Sequence, residues 1–310
     1  MKVDAAFQIV VLGCSGGPRE NNISGYLIAP MDTQQWIVLD AGSLLVGIDK
    51  ALEKDNLKNV SFQDPQSIPA CEMMIKYIKG YLLSHAHLDH ISGLVLNSQI
   101  DSKKYILGID STIDNLRDHI FNGKIWPNYG SEGIEPILNL YQYVRLPLQE
   151  PQPIPNTEMT VEAYLLSHPH HYPSTAFLIE HTGRQLLYFG DTSSDYLERE
   201  KHLESIWHRI APLIKKGSLH GMMLECSFPH EDADQVIYGH LDSHLMIREL
   251  HHLAEIADTS LKGLNVLITH RKECLKKGRD APFQIQEELT ALNDLGVAFH
   301  FPQQGDRFTF

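Results

Sequence analysis

"SHAHLDH", residues 84–90, places three histidines and one aspartate within six consecutive positions that begin at His85. The apolar residues GYLL before it predict a buried strand, so His85 and His87 should point the same way as the chain leaves that strand. Asp89 and His90 should begin the helix that follows. Four donor side chains would then converge on one small volume. Imidazole and carboxylate together suit zinc and related divalent ions, whereas calcium and magnesium prefer oxygen alone, so the stretch predicts a metal site rather than a solvated polar turn.

Further ligands are required, because four side chains cannot complete the coordination shells of two metal ions. Three later apolar runs each end in one suitable residue: AYLLSH in His168, LLYFGD in Asp191 and NVLITH in His270. Active sites of layered α/β proteins are commonly built on loops beyond a rigid sheet. His170 and His171 lie close to His168, but we select His168 as the ligand because it ends the apolar strand, and we expect the other two at the rim.

Short apolar runs followed by turns recur along the chain and predict a sheet-rich core. These runs are FQIVVLG, GYLIAP, QWIVLDAG, GYLLSH, KKYILGI, VEAYLLSH, TAFLIEH, RQLLYFGD, HGMMLECS and LNVLITH. Apolar residues that return at three and four positions predict helices between them. The predicted helices span residues 44–57, 90–100, 111–121, 195–215, 242–256 and 282–295. Because strands and helices do not alternate strictly, the sequence predicts an α/β fold with many hairpin-like pairs.

The chain has 310 residues, of which 43% are hydrophobic, and it can bury a substantial core. The proline-rich stretch RLPLQEPQPIPNTEM, residues 145–159, has the composition of a linker. We interpret it instead as an extended surface connection, because the predicted metal ligands lie on both sides of it. We therefore predict one domain over residues 1–310, with residues 101–160 as an elaboration near the site.

The formal net charge of −13 disfavours a protein that grips a nucleic-acid polymer, because such binding depends on rows of Lys and Arg. A small anionic substrate remains compatible with this charge, since bound divalent cations would place positive charge inside the molecule. No apolar run approaches the roughly 18 to 20 residues that span a bilayer, and the first residues lack the pattern of a secretory signal. We expect a cytoplasmic protein with no membrane partner. Its four cysteines are far apart and predict neither a zinc ribbon nor a disulfide framework.

The motif HxHxDH, followed by His, Asp and His at strand ends, resembles the metallo-β-lactamase superfamily, whose fold is a four-layer αβ/βα sandwich. This resemblance extends over most of the chain. It implies two groups of metal ligands: His85, His87 and His168 for one ion, Asp89, His90 and His270 for the other, and Asp191 as the bridge. The cofactors implied are two divalent metal ions, with zinc as the first choice and manganese and iron as alternatives, because each of these ions accepts histidine and carboxylate.

Five further stretches narrow the resemblance. They are LGCSGGPRENNISGYLI near the start, FNGKIWPNYG at 121–130, LECSF at 224–228, GHLDSH at 239–244 and LITHRK at 267–272. Together they are similar to the class-II cyclic-nucleotide phosphodiesterases. The resemblance implies an enzyme that opens the 3' phosphoester bond of cyclic AMP, and of cyclic GMP, to give 5'-nucleoside monophosphates. It also favours a homodimer. The molecule that the protein is expected to bind is its substrate, a small cyclic nucleotide.

Other readings of the same motif stay open. Ribonuclease Z shares the order of ligands, although this chain has no evident basic, glycine-rich arm of the sort that ribonuclease Z uses to hold tRNA. A lactone or sulfate-ester hydrolase on the same fold is a second alternative, because the metal ligands alone do not choose between carbonyl, sulfuryl and phosphoryl centres. A binding protein without turnover is a third, but it would be expected to have lost ligands.

The leaving oxygen of a phosphodiester needs a proton, and His240 is our candidate for the general acid. It precedes a predicted helix whose N-terminal backbone donors would favour a nearby phosphate. His244 is a competing choice, and the resemblance supports His240. Asp89 and Asp191 are also expected to take part in catalysis.

Several other residues have weaker signals. Asp40 ends the strand IVLDAG, and the resemblance implies that it orients a ligand histidine, since metal-bound imidazoles usually need such a partner. Glu225 follows an apolar run and would align His240 or a ligand, or serve the structure alone. The glycines of GCSGGP match neither GxGxxG nor a P-loop, so they predict a tight turn under the site. Trp126 in IWPNY is read as core packing ahead of stacking on a purine.

Overall fold

The computed structural model describes residues 5–31, 33–169, 172–230, 239–274 and 276–310. His170 and His171, predicted at the rim of the site, lie outside the described residues.

Across the described ranges, fourteen strands form two mixed sheets. The strands are β1 (Phe7–Gly13), β2 (Gly25–Pro30), β3 (Trp36–Ala41), β4 (Ile78–Leu82), β5 (Lys104–Gly108), β6 (Tyr141–Arg145), β7 (Gln152–Pro153), β8 (Thr160–His168), β9 (Tyr172–His181), β10 (Arg184–Phe189), β11 (Leu219–Glu225), β12 (Asn265–Thr269), β13 (Ala298–His300) and β14 (Arg307–Thr309). Each of the ten apolar runs quoted above overlaps one of these strands. The short strands β6, β7, β13 and β14 lack such a run and were not predicted.

Eight α-helices accompany the sheets in the described residues. They are α1 (Leu45–Glu53), α2 (Pro69–Glu72), α3 (Leu88–Asn97), α4 (Asp110–Asn115), α5 (Asp195–Glu198), α6 (His202–Lys216), α7 (Ser243–Ala257) and α8 (Ala281–Leu292). Helices α2 and α4 continue as π-helical segments at Met73–Tyr77 and Leu116–Ile120. Within the described ranges, no helix is both long and apolar enough to cross a membrane.

Both sheets have seven strands and the same pattern of directions. The first runs β14-β1-β2-β3-β4-β5-β6, and the second runs β7-β8-β9-β10-β11-β12-β13. In each sheet the first three pairings in this order are antiparallel and the last three are parallel. Parallel strands are usually covered on both faces, which explains why the runs around β4 and β11 are apolar almost without interruption.

The two sheets pack face to face, and helices cover their outer faces. Ile9 and Leu39 of the first sheet share a fully buried cluster with Phe177 and Tyr188 of the second. The outer face of the first sheet packs against α1 and α3, and that of the second against α6, α7 and α8. This is the four-layer αβ/βα sandwich that the sequence predicts.

Residues 101–160 contribute to both halves of the fold. Strands β5 and β6 belong to the first sheet, whereas β7 and the start of β8 belong to the second, so the proline-rich connection leads from one sheet to the other. Trp126 packs against the core of the first half and its indole Nε1 donates to Ser98 Oγ at 2.9 Å. These contacts agree with the prediction that Trp126 packs in the core.

The predicted helix over residues 195–215 is interrupted. Arg199 has a left-handed backbone with φ of 58°, which ends α5 before α6 begins. The carboxylate of Asp195 accepts from the backbone N–H groups of Leu203 at 3.1 Å and Glu204 at 2.8 Å. These donors lie in the first turn of α6 and have no partner within the helix, so Asp195 caps a second helix where the periodicity predicted a single one.

Replacing this cap should destabilise the protein. We expect Asp195→Ala to lower the free energy of unfolding by about 1 kcal/mol, because two N–H groups of α6 lose their acceptor. Asp195→Asn should retain most of the stability. Denaturant unfolding measures the effect, with Glu200→Ala, an exposed substitution on the same loop, as the control. Equal stability of the Asp195→Ala and Glu200→Ala variants would contradict the capping role.

Candidate metal centre

The predicted ligands lie together at one edge of the two sheets. The first sheet brings residues 85–90 there, because β4 leads into this stretch and α3 begins at Leu88. The second sheet brings the remaining three, which end β8 or directly follow β10 and β12: His168, Asp191 and His270. The structure thus brings together all seven residues predicted as ligands, from positions far apart in the chain.

The first group consists of three histidines and Asp191. Nδ1 of His87 lies 3.0 Å from Nε2 of His85 and 3.3 Å from Nε2 of His168. Oδ2 of Asp191 lies 3.8 Å from Nε2 of His85 and 3.8 Å from Nε2 of His168. Three imidazole nitrogens and one carboxylate oxygen therefore surround one point, which is the donor number of a tetrahedral zinc site.

The second group shares Asp191 with the first. Its Oδ1 lies 3.3 Å from Nε2 of His90, and its Oδ2 lies 3.3 Å from Nε2 of His270. Oδ2 of Asp89 is 3.2 Å from the same nitrogen of His270 and 3.8 Å from Nε2 of His90. Because only Asp191 belongs to both groups, its carboxylate occupies the position that a bridging ligand requires.

Asp40, at the end of β3, fixes two of these rings. It accepts from Nδ1 of His90 at 2.8 Å, from the backbone N–H and hydroxyl of Ser84 at 2.8 and 2.7 Å, and from the hydroxyl of Tyr188 at 2.6 Å. Because the Ser84 hydroxyl donates to Asp40, it accepts from Nδ1 of His85, 3.0 Å away. In their neutral form, both histidines therefore carry the proton on Nδ1 and present the lone pair of Nε2 to the cluster.

Two more rings are fixed from the second sheet. Nδ1 of His168 donates to the carbonyl of Gly239 at 2.9 Å. Nδ1 of His270 donates to the hydroxyl of Ser227 at 2.9 Å, and this hydroxyl donates to Glu225 Oε2 at 2.6 Å. Again the outer nitrogen carries the proton and Nε2 faces the cluster, as in histidines that bind a metal ion.

Burial and charge set the protonation of the cluster. Burial lowers the pKa of His85, His87 and His168, the last to about 4, and so favours neutral imidazole. His90 differs: burial lowers its pKa, but the carboxylates of Asp191, Asp40 and Asp89 outweigh burial and raise the pKa well above 6.5. Without a bound cation, these carboxylates thus draw a proton onto His90.

The opposite effect acts on the carboxylates. Burial disfavours their ionised form, but the neighbouring His270 and His90 outweigh burial and hold the pKa values of Asp89 and Asp191 below their ordinary range. Both side chains are therefore acceptors only, with no proton to donate.

The donors fit divalent metal ions. In the part of the chain that the structure describes, Nε2 of His90 and Oδ1 of Asp191 are buried and have no hydrogen-bond partner. Such atoms are costly to bury unless something binds them, and a bound cation would take the place of the proton that His90 otherwise holds. Nitrogen and carboxylate donors in two groups with one shared carboxylate suit a dinuclear metal site.

His240 lies beside the second group and is 4% exposed. Its Nδ1 is 2.8 Å from Oε1 of Glu225 and 3.9 Å from Oδ2 of Asp191, and its ring stacks on His270 with centroids 5.1 Å apart. Burial lowers the pKa of His240 to about 4, whereas burial and Asp191 raise that of Glu225 to about 7. His244, the competing candidate, is exposed on α7.

His244 contacts a different group of residues. Its ring stacks on His230 with centroids 3.7 Å apart, and His230 lies 3.0 Å from Asp242 through its Nδ1. Asp242 is the N-cap of α7 and accepts from the backbone N–H of Leu245. His244 therefore belongs to the surface at the start of this helix and is absent from the groups of potential ligands in the described residues.

Two glycines allow the backbone to approach the cluster. A Cβ atom on Gly16 would lie 2.4 Å from Cε1 of His270, and one on Gly42 would lie 2.0 Å from the carbonyl oxygen of Asp89. Real Cβ atoms essentially never come so close to other atoms. The glycine-rich stretch near the start therefore passes directly against a ligand ring, in line with the predicted turn under the site.

Sequence reasoning missed the residues that support the cluster from a distance. Tyr188 lies within an apolar run and gave no sign of polar function, and Ser227 gave none beyond its place in LECSF. Tyr172 stacks on His87 with ring centroids 4.5 Å apart and planes 16° apart. These contacts join residues far apart in the sequence, so no local pattern indicates them.

Known proteins of one family are similar to this chain over almost its whole length. A model of the family described as cAMP phosphodiesterases class-II matches residues 6–305. A 3',5'-cyclic-nucleotide phosphodiesterase of Aliivibrio fischeri is 37% identical over 98% of this chain and 93% of its own length. The crystal structure of unliganded yeast PDE1 superposes with a TM-score of 0.83 at 25% identity, over 99% of this chain and 100% of that one.

The fold is also shared more widely. The metallo-beta-lactamase fold protein YhfI from Bacillus subtilis superposes with a TM-score of 0.63 at 17% identity, over 98% of this chain and 100% of that one. This likeness confirms the predicted fold class, and the family match confirms the resemblance drawn from the sequence. The chain belongs to the class-II cAMP phosphodiesterase family.

Proposed function

We propose that this protein hydrolyses the 3' phosphoester bond of 3',5'-cyclic AMP, and also of cyclic GMP, to give 5'-nucleoside monophosphates with the help of two divalent metal ions. Family membership and the names of its relatives support the class of substrate. The observation that carries the proposal is the single carboxylate of Asp191, which lies between two groups of histidines with His240 beside it.

The proposed ligands divide as the two groups do. His85, His87 and His168 would hold the first ion, Asp89, His90 and His270 would hold the second, and Asp191 would belong to both groups. Zinc is the first choice for the metal, because neutral imidazole is the main donor. Where the outer nitrogen of a histidine is hydrogen-bonded, the lone pair of its other ring nitrogen faces inward. Manganese and iron accept the same donors.

When bound, two such ions neutralise the phosphoryl oxygens and make a water nucleophilic at neutral pH. Hydrolysis forms one bond from the water oxygen to phosphorus, with loss of a proton from the water, and breaks the bond from phosphorus to O3'. The departing O3' then needs a proton. The side chains of the chain must therefore hold the phosphate in place and deliver this proton.

His240 is the proposed proton donor to O3'. Because burial holds the ring neutral and the pKa of Glu225 is raised to about 7, a protonated Glu225 donates to Nδ1, and Nε2 carries the proton that faces a substrate. Glu225 is itself held by the backbone N–H of Thr192 at 2.9 Å and by the hydroxyl of Ser227. Thr192 directly follows Asp191. The carboxylate of Glu225 therefore positions both the proton donor, His240, and the loop that carries the shared ligand, Asp191.

Charge explains why the cations are required before substrate binds. Four carboxylates surround the site: Asp40, Asp89, Asp191 and Glu225. All of them except Asp89 are 3% exposed or less. A cyclic phosphodiester is an anion and would be repelled by them. Two divalent ions reverse the local charge at the place where the phosphate must sit, within a chain of net charge −13.

We further propose a homodimer that acts in the cytoplasm, in line with the resemblance to the family. Sedimentation of the purified protein at several concentrations tests the first part. A monomer at all of them would contradict it.

The product of the reaction tests the proposed function directly. We expect the purified, metal-loaded protein to convert 3',5'-cyclic AMP to 5'-AMP, and a chelator to abolish this activity. A linear diester, bis(p-nitrophenyl) phosphate, serves as the control substrate. Hydrolysis of the linear diester with cyclic AMP untouched would contradict the proposed substrate, and release of 3'-AMP would contradict the bond assigned.

Asp191 and Asp89 should differ in their effect on metal content. We expect Asp191→Ala to lose metal from one or both sites, because its carboxylate reaches both groups. Asp89→Ala should retain the first ion, since Asp89 contacts only the second group. Elemental analysis of the two variants measures this. Two full equivalents of metal in Asp191→Ala would contradict its bridging role.

His240 should affect turnover without affecting metal content. We expect His240→Ala to retain both ions but to lower kcat by roughly 10²- to 10⁴-fold, the range typical of proton-transfer groups. His244→Ala, an exposed change on the same helix region, is the matched control and should leave kcat unchanged. A drop in kcat for His244→Ala but not for His240→Ala would assign the acid to His244.

A further inference from the structure

The five histidines of the proposed metal centre are not held in the same way. His85, His90, His168 and His270 each present Nε2 and donate from Nδ1 to a hydroxyl, a carboxylate or a carbonyl. His87 is reversed, because its Nδ1 faces the other donors. Among the described residues its Nε2 has no hydrogen-bond partner, and its ring is only half-buried. Its ring plane must therefore be fixed by another contact.

Tyr172 supplies a contact of this kind. Its ring stacks on the imidazole of His87, with centroids 4.5 Å apart and planes 16° apart. It also lies edge-on to His85 at 5.9 Å and to His168 at 6.4 Å, so it forms one wall of the first group. Stacked rings of this kind resist rotation out of the common plane, and rotation of His87 would turn Nδ1 away from the cluster.

The ring of Tyr172 is held from both halves of the fold. Tyr172 begins β9 and pairs with His168 at the end of β8, so one hairpin carries a proposed ligand and the ring that contacts another. Its hydroxyl accepts from Nδ2 of Asn115 at 3.1 Å, and Asn115 ends α4 on the side of the first sheet. The tyrosine is therefore fixed by the second sheet and tethered to the first.

We infer that Tyr172 is a positioning residue for the first metal ion. It holds the ring of His87 in place by stacking on it and touches neither the ion nor the substrate. The inference rests on the proposed metal centre. Partners that orient a metal ligand typically contribute a factor of roughly 10 to 100 in metal affinity. The aromatic ring should account for most of this contribution, and the tether through Asn115 for a smaller part.

Zinc titration of the metal-free protein against a competing chelator tests the inference. Tyr172→Leu should weaken zinc binding at the first site by roughly 10- to 100-fold and leave the second site unchanged. Tyr172→Phe and Asn115→Ala should both bind zinc nearly as the wild type does, because the stacked ring remains. Tyr196→Leu, at an exposed tyrosine that contacts Arg248, is the matched control and should have no effect.

A second readout separates positioning from a general loss of structure. In the cobalt-substituted protein, Tyr172→Leu should alter the visible absorption of the first site, whereas Tyr172→Phe should not. Thermal unfolding of the metal-free variants reports whether they fold. Unchanged zinc affinity in a folded Tyr172→Leu variant would overturn the inference, and so would a Tyr172→Phe variant that binds zinc as weakly as Tyr172→Leu.

The wild-type titration distinguishes failure of this inference from failure of the proposed function. Fewer than two zinc equivalents in the wild type would overturn the dinuclear centre and this inference with it. Two equivalents and the expected order of variants, without hydrolysis of cyclic AMP, would overturn only the proposed substrate.

Discussion

The carboxylate of Asp191 is the constraint on which the rest of the site depends. It is 3% exposed, and nitrogens of five histidines approach it within 3.9 Å. An ionised carboxylate is stable in such a place only when positive charge compensates it. Part of the compensation comes from the imidazole rings, as the raised pKa of His90 shows. Divalent cations would complete it and would also occupy the lone pairs that have no partner.

This constraint explains why the site lies where the two sheets meet. Residues 85–90 come from the first sheet, whereas Asp191 and His270 come from the second. The buried hydrogen bond from Tyr188 of β10 to Asp40 of β3 joins the sheets beside the cluster. Neither half contains enough donors to hold two ions, so the site exists only when both sheets have packed. Folding and site formation therefore depend on the same contacts.

The sequence predicted four ligands from the spacing within residues 84–90 and three more because each ends an apolar run. A buried strand that stops at a histidine or aspartate places that side chain at the edge of the sheet, and strands that run in parallel bring such edges together. This reasoning found His168, Asp191 and His270 without knowledge of the strand pairing. The apolar runs also predicted ten of the strands, whereas the layered arrangement came from the resemblance to the metallo-β-lactamase superfamily.

The same reasoning could not find the residues that support the ligands. Tyr188 lies in the middle of an apolar run, and its partner Asp40 is 148 positions away. Tyr172 begins β9, and its contact with His87 depends on the packing of one half of the fold on the other. Asp195 lies in a helical pattern, yet its carboxylate caps a different helix. In each case a contact at long range, which no local pattern records, decides the role of the residue.

The confinement of positive charge to one place also bears on the size of the substrate. At physiological ionic strength the field of a charge is screened over about 8 Å, so two ions bound in this cluster would attract an anion only at the site itself. Beyond that distance a long polyanion would meet a chain whose net charge is −13. A cyclic nucleotide carries one phosphate, and this phosphate can lie within the screening distance of ions bound at the site. The distribution of charge thus favours a small cyclic phosphodiester over a nucleic-acid polymer on the same set of metal ligands.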